Sequence, residues 1–151
     1  MKKGTHVDSI GFLLGSICKV RRNTANEMLA QYGIHAGQDI LLYYLNQEDG
    51  KTVSQLLEDI CVQPATISNT INRMVANNLI KKVKDENDMR VSRIFLTEKG
   101  KEVFSEVKDV WNILEVQTVE GLTDEEKQVL KKSLLRLLSN FDNHNGQLFR
   151  K

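Results

Sequence analysis

The chain has one proline and nine glycines in 151 residues. So little punctuation leaves long uninterrupted segments, and a mostly helical fold with short connections is expected. No apolar run reaches the roughly 18 residues of a membrane-spanning helix, so no membrane partner is expected. Cysteine is scarce as well: Cys18 and Cys61 have no close pairing motif, which points to free thiols in a reducing compartment. The basic start "MKKGTHVDSIGFLLG" is interrupted by Asp8 and lacks a small-residue cleavage site, so it reads as a mature cytoplasmic terminus. An excess of charge of one sign is also missing. The formal net charge is +1, and any nucleic-acid partner has to be read from local clustering. No nucleophile elbow, phosphate-binding glycine loop or metal-ligand pair occurs, and His35 has no sequence partner for proton transfer. His6, His35 and His144 are scattered. Neither an enzyme, a cofactor nor a metal site is expected.

What is present is ordinary for one globular domain, or one core with an appended interface: 40% hydrophobic and 27% charged residues. Apolar residues at three- and four-residue spacings (Ile10, Leu13, Leu14, Ile17, Met28, Leu29) predict a helix over residues 7–32, closed by Gly33. A second helix is expected over 36–46, with Ile40, Leu41, Leu42 and Leu45 buried around much of its circumference. Thr52 and Val53 form a brief extended segment, and a short helix follows over 54–60 with Leu56, Leu57 and Ile60 inward. Pro64 suits a first helical position. It opens a helix over 65–77 whose apolar side is Ile67, Ile71, Met74 and Val75.

Beyond it the period changes from helical to alternating. "LIKKVKDE" and "SRIFLT" predict two strands with a turn at 86–90. A long helix then runs over 97–119 with the stripe Val103, Val107, Val110, Trp111 and Leu114. The last helix starts at Thr123, where Glu126 completes a capping box, and carries Leu130, Leu134, Leu137, Leu138 and Phe141.

The short helix, tight turn and longer helix over residues 54–77 form a helix-turn-helix pattern. The polar side of the longer helix carries Thr66, Ser68, Asn69, Asn72 and Arg73, and acids are missing from it. Asn reads adenine and Arg reads guanine by paired hydrogen bonds, whereas an ordinary solvent-facing helix would show Glu and Lys pairs. The hairpin that follows is locally basic: Lys81, Lys82, Lys84, Arg90, Arg93, Lys99 and Lys101 stand against Asp85, Glu86, Asp88 and Glu98. Such a hairpin is a wing, and an arginine at its tip suits the negative potential of a minor groove.

These stretches resemble the MarR family of winged helix-turn-helix regulators. "DMRVSRIFLTEKG" is similar to the family's wing pattern of Asp-x-Arg followed by Leu-Thr-x-x-Gly, and "PATISNTINRMVANNLIKKV" resembles its recognition helix leading into the wing. "IHAGQDILLYYL" resembles the start of its second helix. The likeness implies a mainly α fold with a small β-hairpin wing, the winged helix-turn-helix being flanked by N- and C-terminal dimerisation helices. It divides the chain into residues 1–34, an N-terminal dimerisation helix; 35–100, the DNA-binding domain; and 101–151, C-terminal dimerisation helices. It implies a homodimeric transcription factor, a repressor on a pseudo-palindromic site in double-stranded DNA. Arg90 would enter the minor groove, Asp88 would hold it, and the recognition-helix residues would face the major groove or flanking phosphates. Arg93 would be a phosphate or intra-wing partner, and Thr97 would cap the next helix.

The chain departs from the pattern at Gln63, where an acid or hydroxyl cap is commoner. It departs again at Met89, where a further base is common, so a shallower salt dependence is expected. The resemblance also implies a small-molecule effector, with Phe12, Ser16, Lys19, His35 and Trp111 as candidate pocket residues. A redox-responsive regulator using Cys18 or Cys61 is one alternative; Lys19, Arg21 and Arg22 beside Cys18 would lower its pKa. A helical protein-interaction module without DNA binding is the other.

Overall fold

The uninterrupted segments fold as helices. In the computed structural model, which describes residues 8–60 and 62–145 with side chains to residue 141, α1 spans Ile10–Ala30, α2 Gln38–Gln47, α3 Val53–Ile60, α4 Pro64–Ala76, α5 Glu98–Thr118 and α6 Asp124–Asn145. Strands β1 (Lys51–Thr52), β2 (Ile80–Lys84) and β3 (Ser92–Leu96) form one antiparallel sheet in the order β1-β3-β2. The expected hairpin is therefore widened by a third strand. Lys51 pairs with Ile94 and Thr52 with Arg93, which ties the wing to the segment that leads into α3. His6, Cys61 and the side chain of His144 fall outside the described residues.

Local chemistry sets the helix ends. Ser9 Oγ accepts the Phe12 N–H at 3.2 Å, and Thr97 Oγ1 accepts the Gly100 N–H at 3.0 Å. The expected capping box forms in both directions: Glu126 accepts the Thr123 N–H at 2.8 Å and Thr123 accepts the Glu126 N–H at 3.3 Å. Gln63 lies at the α4 N-cap with no side-chain cap bond, as its long amide side chain suggests.

The end of α4 is a Schellman turn. Asn78 takes the left-handed φ of 57°, its N–H bonds Val75 O at 3.0 Å, and Leu79 N–H bonds Met74 O at 2.9 Å. The α5 start is seated directly on this turn. Thr97 Oγ1 donates toward Asn78 O (2.7 Å) and Leu79 O (3.0 Å), and Lys99 Nζ donates to Asn77 O at 3.0 Å. Gly100 is required by a close approach: a Cβ there would lie 2.0 Å from Leu79 O.

One buried cluster joins the elements. It includes Ala25 and Leu29 of α1, Leu41, Leu42 and Leu45 of α2, Leu56, Ile67, Ile71 and Met74 of the helix pair, Ile80, Ile94 and Leu96 of the sheet, and Phe104, Val107, Val110 and Leu114 of α5. The core thus crosses the boundaries expected at 34–35 and 100–101. Two apolar expectations are corrected. Val75 is exposed because Ile67, Ile71 and Met74 already fill the buried stripe of α4, and Ile40 is exposed while its polar neighbours Gln38 and Asp39 are buried.

Much of the apolar pattern at the chain ends faces outward. Ile10, Leu13 and Ile17 of α1 are exposed, and so are Leu130, Leu134, Leu138 and Phe141 of α6. The α6 stripe has helical spacing but no counterpart in the shared core. Among the described residues no helix is long and apolar enough to cross a membrane.

Candidate nucleic-acid interface

The burial of Ile67, Ile71 and Met74 turns the opposite side of α4 outward. Thr66, Ser68, Asn69, Asn72 and Arg73 are all exposed on it. Thr70, half-buried between them, donates its hydroxyl to Thr66 O at 2.9 Å. The helix therefore presents short donors and acceptors with one guanidinium and no carboxylate, as a groove-reading surface requires.

The wing tip is built by two aspartates. Asp85 is buried, and its Oδ1 accepts the N–H groups of Asn87 (2.8 Å) and Asp88 (3.1 Å). This is an Asx-type turn, and it closes the tip together with Asp85 N–H to Val91 O and Val91 N–H to Asp88 O. Asp88 then grips Arg90. Oδ1 accepts both the backbone N–H and the side-chain Nε–H of Arg90 at 3.0 Å, and Oδ2 accepts from Nη2 at 3.1 Å. The Arg90 side chain is nevertheless 91% exposed. The fork fixes the direction of the guanidinium and leaves its outer edge to solvent.

Both carboxyls are held below the usual carboxylate range. For Asp85 the main cause is the hydrogen bond from Arg93, followed by the Asn87 and Asp88 N–H groups; for Asp88 it is the Arg90 side chain and then its backbone N–H.

The other bases divide by what they touch. Arg93, for which two roles were open, is engaged within the protein: Nε donates to Asp85 Oδ2 and Nη1 donates to Gly50 O at 3.0 Å. Lys99 caps α4, and Lys101 pairs with Glu98 at 2.8 Å. Lys82 and Lys84 are exposed on β2, opposite Ile94 and Ser92, and make no ion pair among the described residues. Asp85, Asp49 and Gly50 are structural participants that the sequence reading did not single out as site residues. An aspartate followed at two and three residues by turn N–H groups was the available signal for Asp85.

The five candidate pocket residues do not converge within one chain. Tyr32 lies near the carboxylates of Glu106 and Asp109, and Arg21 donates to Thr118 at 3.3 Å, so α1 and α5 run antiparallel. At 1.5 Å of rise per residue, Ser16 and Phe12 are separated from the level of Trp111 by roughly 17 and 23 Å along the helix. Trp111 instead donates its Nε1–H to the buried Asp39 at 2.8 Å and packs with Tyr43 and Phe104. His35 and Lys19 are exposed and Ser16 is half-buried; the His35 backbone N–H is held by Gln38 at 3.1 Å. Cys18 is exposed on α1.

Comparison with known proteins agrees with this geometry. A family described as "Transcriptional regulator SarA/Rot" matches residues 23–107. The chain is 32% identical over 132 residues to the uncharacterized HTH-type transcriptional regulator YsmB of Bacillus subtilis, covering 87% of this chain and 90% of that protein. Its fold is similar to that of a MarR transcriptional regulator from Methanosarcina mazei, with a TM-score of 0.78, 25% identity, and coverage of 87% of this chain and 94% of that one. It is also similar in fold to a mutant MarR from E. coli complexed with operator DNA, with a TM-score of 0.79, 20% identity, and coverage of 87% and 95%.

Proposed function

The chain belongs to the SarA/Rot transcriptional regulators, MarR-like winged-helix proteins, and from that premise we propose that it binds a pseudo-palindromic operator as a homodimer and represses transcription. The observation that carries the DNA contact is the forked Asp88–Arg90 pair, which holds a 91% exposed guanidinium at the wing tip. Beside it lies an α4 surface free of acids. In this reading α4 enters the major groove with Thr66, Ser68, Asn69, Asn72 and Arg73 toward bases or phosphates, and Arg90 enters the adjacent minor groove. The E. coli protein of similar fold was solved in complex with operator DNA, which supports DNA as the partner in this reading.

The homodimer is supported by the outward apolar residues of α1 and α6, which a second copy would cover. Two recognition helices would then address half-sites about one helical turn apart, ~34 Å. In this division of labour residues 1–34 and 101–151 supply the assembly surfaces and 35–100 the DNA contacts, although all three share one core. Release by a small-molecule effector is supported by the family likeness alone. A pocket joining Phe12 and Ser16 to Trp111 would need surfaces of the second copy.

The test is selection of bound fragments from genomic DNA, followed by titration of the selected duplex over a range of salt. Affinity that falls as salt rises is expected. Salt-independent binding, or none, would sink the reading and favour an interaction module without DNA.

A further inference from the structure

The wing carries two arginines, and they are used differently. Arg90 is held by Asp88 alone and otherwise faces solvent. Arg93 is half-buried and bridges two parts of the protein: Nε donates to Asp85 Oδ2, and Nη1 donates 3.0 Å to Gly50 O in the loop between α2 and β1. Asp85 uses its other oxygen for the N–H groups of Asn87 and Asp88. A continuous chain of contacts therefore runs from Gly50 through Arg93 and Asp85 to Asp88, and from Asp88 to Arg90.

The anchor end of this chain is stiff. Gly50 has a left-handed φ of 77°, and a Cβ there would lie 2.8 Å from the Phe95 ring. Its N–H bonds Ile94 O at 3.0 Å. Asp49, next to it, accepts the Leu96 N–H at 2.9 Å, and Lys51 on its other side pairs with Ile94, so the α2–β1 segment is fastened to β3 around the Arg93 contact. The ladder between β2 and β3 ends at Lys84 and Ser92, and beyond it only the contacts of the turn fix the tip.

We propose that Asp85 and Arg93 are positioning residues for DNA recognition: together they set the orientation of the wing tip, and Arg93 does not contact phosphate. The proposal rests on the chain being a duplex-DNA binder. Its physical basis is that a guanidinium paired with a buried carboxylate and a carbonyl has its charge and its inner donors engaged. Removing either partner leaves a desolvated group unpaired and frees the turn.

Two substitutions separate this role from a direct contact. Asp85→Asn keeps an acceptor for the Asn87 and Asp88 N–H groups but replaces the acceptor for Arg93 with a donor. Arg93→Met keeps the apolar stem and removes both donors. Each full-length variant is titrated against the genomically selected duplex at several salt concentrations, and amide exchange of Asn87 and Asp88 is followed by NMR in the free protein. Both variants are expected to weaken binding by about tenfold or more, even though Asp85→Asn removes a negative charge from a surface that meets a polyanion. The double variant should bind within about twofold of the weaker single, because both changes break one contact chain. The salt slope should be unchanged, and exchange at Asn87 and Asp88 should quicken in Arg93→Met.

A salt slope shallower by about 0.9 in Arg93→Met would make Arg93 a phosphate contact and overturn the proposal. So would tighter binding by Asp85→Asn, or unaltered exchange. If the wild-type protein binds duplex and the variants bind equally well, the brace alone is wrong; if the wild-type protein binds none, the functional reading falls.

Discussion

At the scale of single residues, the wing sets charge against geometry. Asp88 is an acid placed where a polyanion is expected, and its contacts account for it: it accepts the backbone N–H, the Nε–H and one Nη2 hydrogen of Arg90. Arg90→Ala should weaken duplex binding by about 1–3 kcal/mol, as loss of a specific groove contact does. Asp88→Ala should also weaken it, and the sign is the measurement: a gel-shift titration at fixed salt that shows tighter binding would reduce Asp88 to mere repulsion. The same residues define a pH window. Both Asp85 and Asp88 have folded pKa values lowered by their donors, so their contribution is complete above the unfolded value of about 3.9 and is lost as pH falls through the lowered ones. The Asn87 and Asp88 amide signals should therefore hold steady from about pH 8 down to pH 5 and move only in stronger acid. A transition near neutral pH would assign the turn to some other group.

Among elements, the junction of α4 and α5 carries the most consequence. Leu79 O lies where a Cβ of residue 100 would be, and Thr97 and Lys99 bond the carbonyls around it. Gly100→Ala should cost about 1–3 kcal/mol through overpacking against backbone. At about 2–4 °C per kcal/mol for a chain of this size, thermal unfolding would register it; an unchanged Tm would mean that the junction yields. The sequence made the elements of this junction legible and left its contacts hidden. Thr97 as a cap and Glu126 as the partner of Thr123 are local signals, readable three residues apart. The reason for Gly100 lies in the turn after α4, 21 positions back, and Arg93 reaches Gly50 across a separation of 43 residues. Trp111 meets Asp39 across 72. Helical periodicity ranks positions by face and does not report such pairings: it places Trp111 in an apolar stripe without its Asp39 partner, and Asp85 stands among the hairpin's acids without Arg93. Gln38 and Asp39 fall inside the expected second helix with no role assigned, while in the fold they are buried and accept the N–H groups of His35 and Gly37.

For the whole molecule, the open question is what covers the outer helices. Leu134 and Leu138 of α6 are 38% and 46% exposed, and Phe141 is 57% exposed. A folded chain with such a stripe should associate, and sedimentation at micromolar concentration is expected to give a dimer. Leu134→Glu, aimed at the middle of the stripe, should shift the species toward monomer and weaken binding to a two-half-site duplex more than to a single half-site. A monomeric wild-type protein at that concentration would count against the assembly. The seam between Leu79 and Gly100 bears on recombination between relatives. A crossover at residue 100 would keep the seam yet strip Phe104, Val107, Val110 and Leu114 from the core that the helix pair and the sheet share. Chimeras should tolerate exchange at the turn around Gly121, after α5 has ended, so the proposed DNA-reading segment is inherited together with the helix that leads away from it.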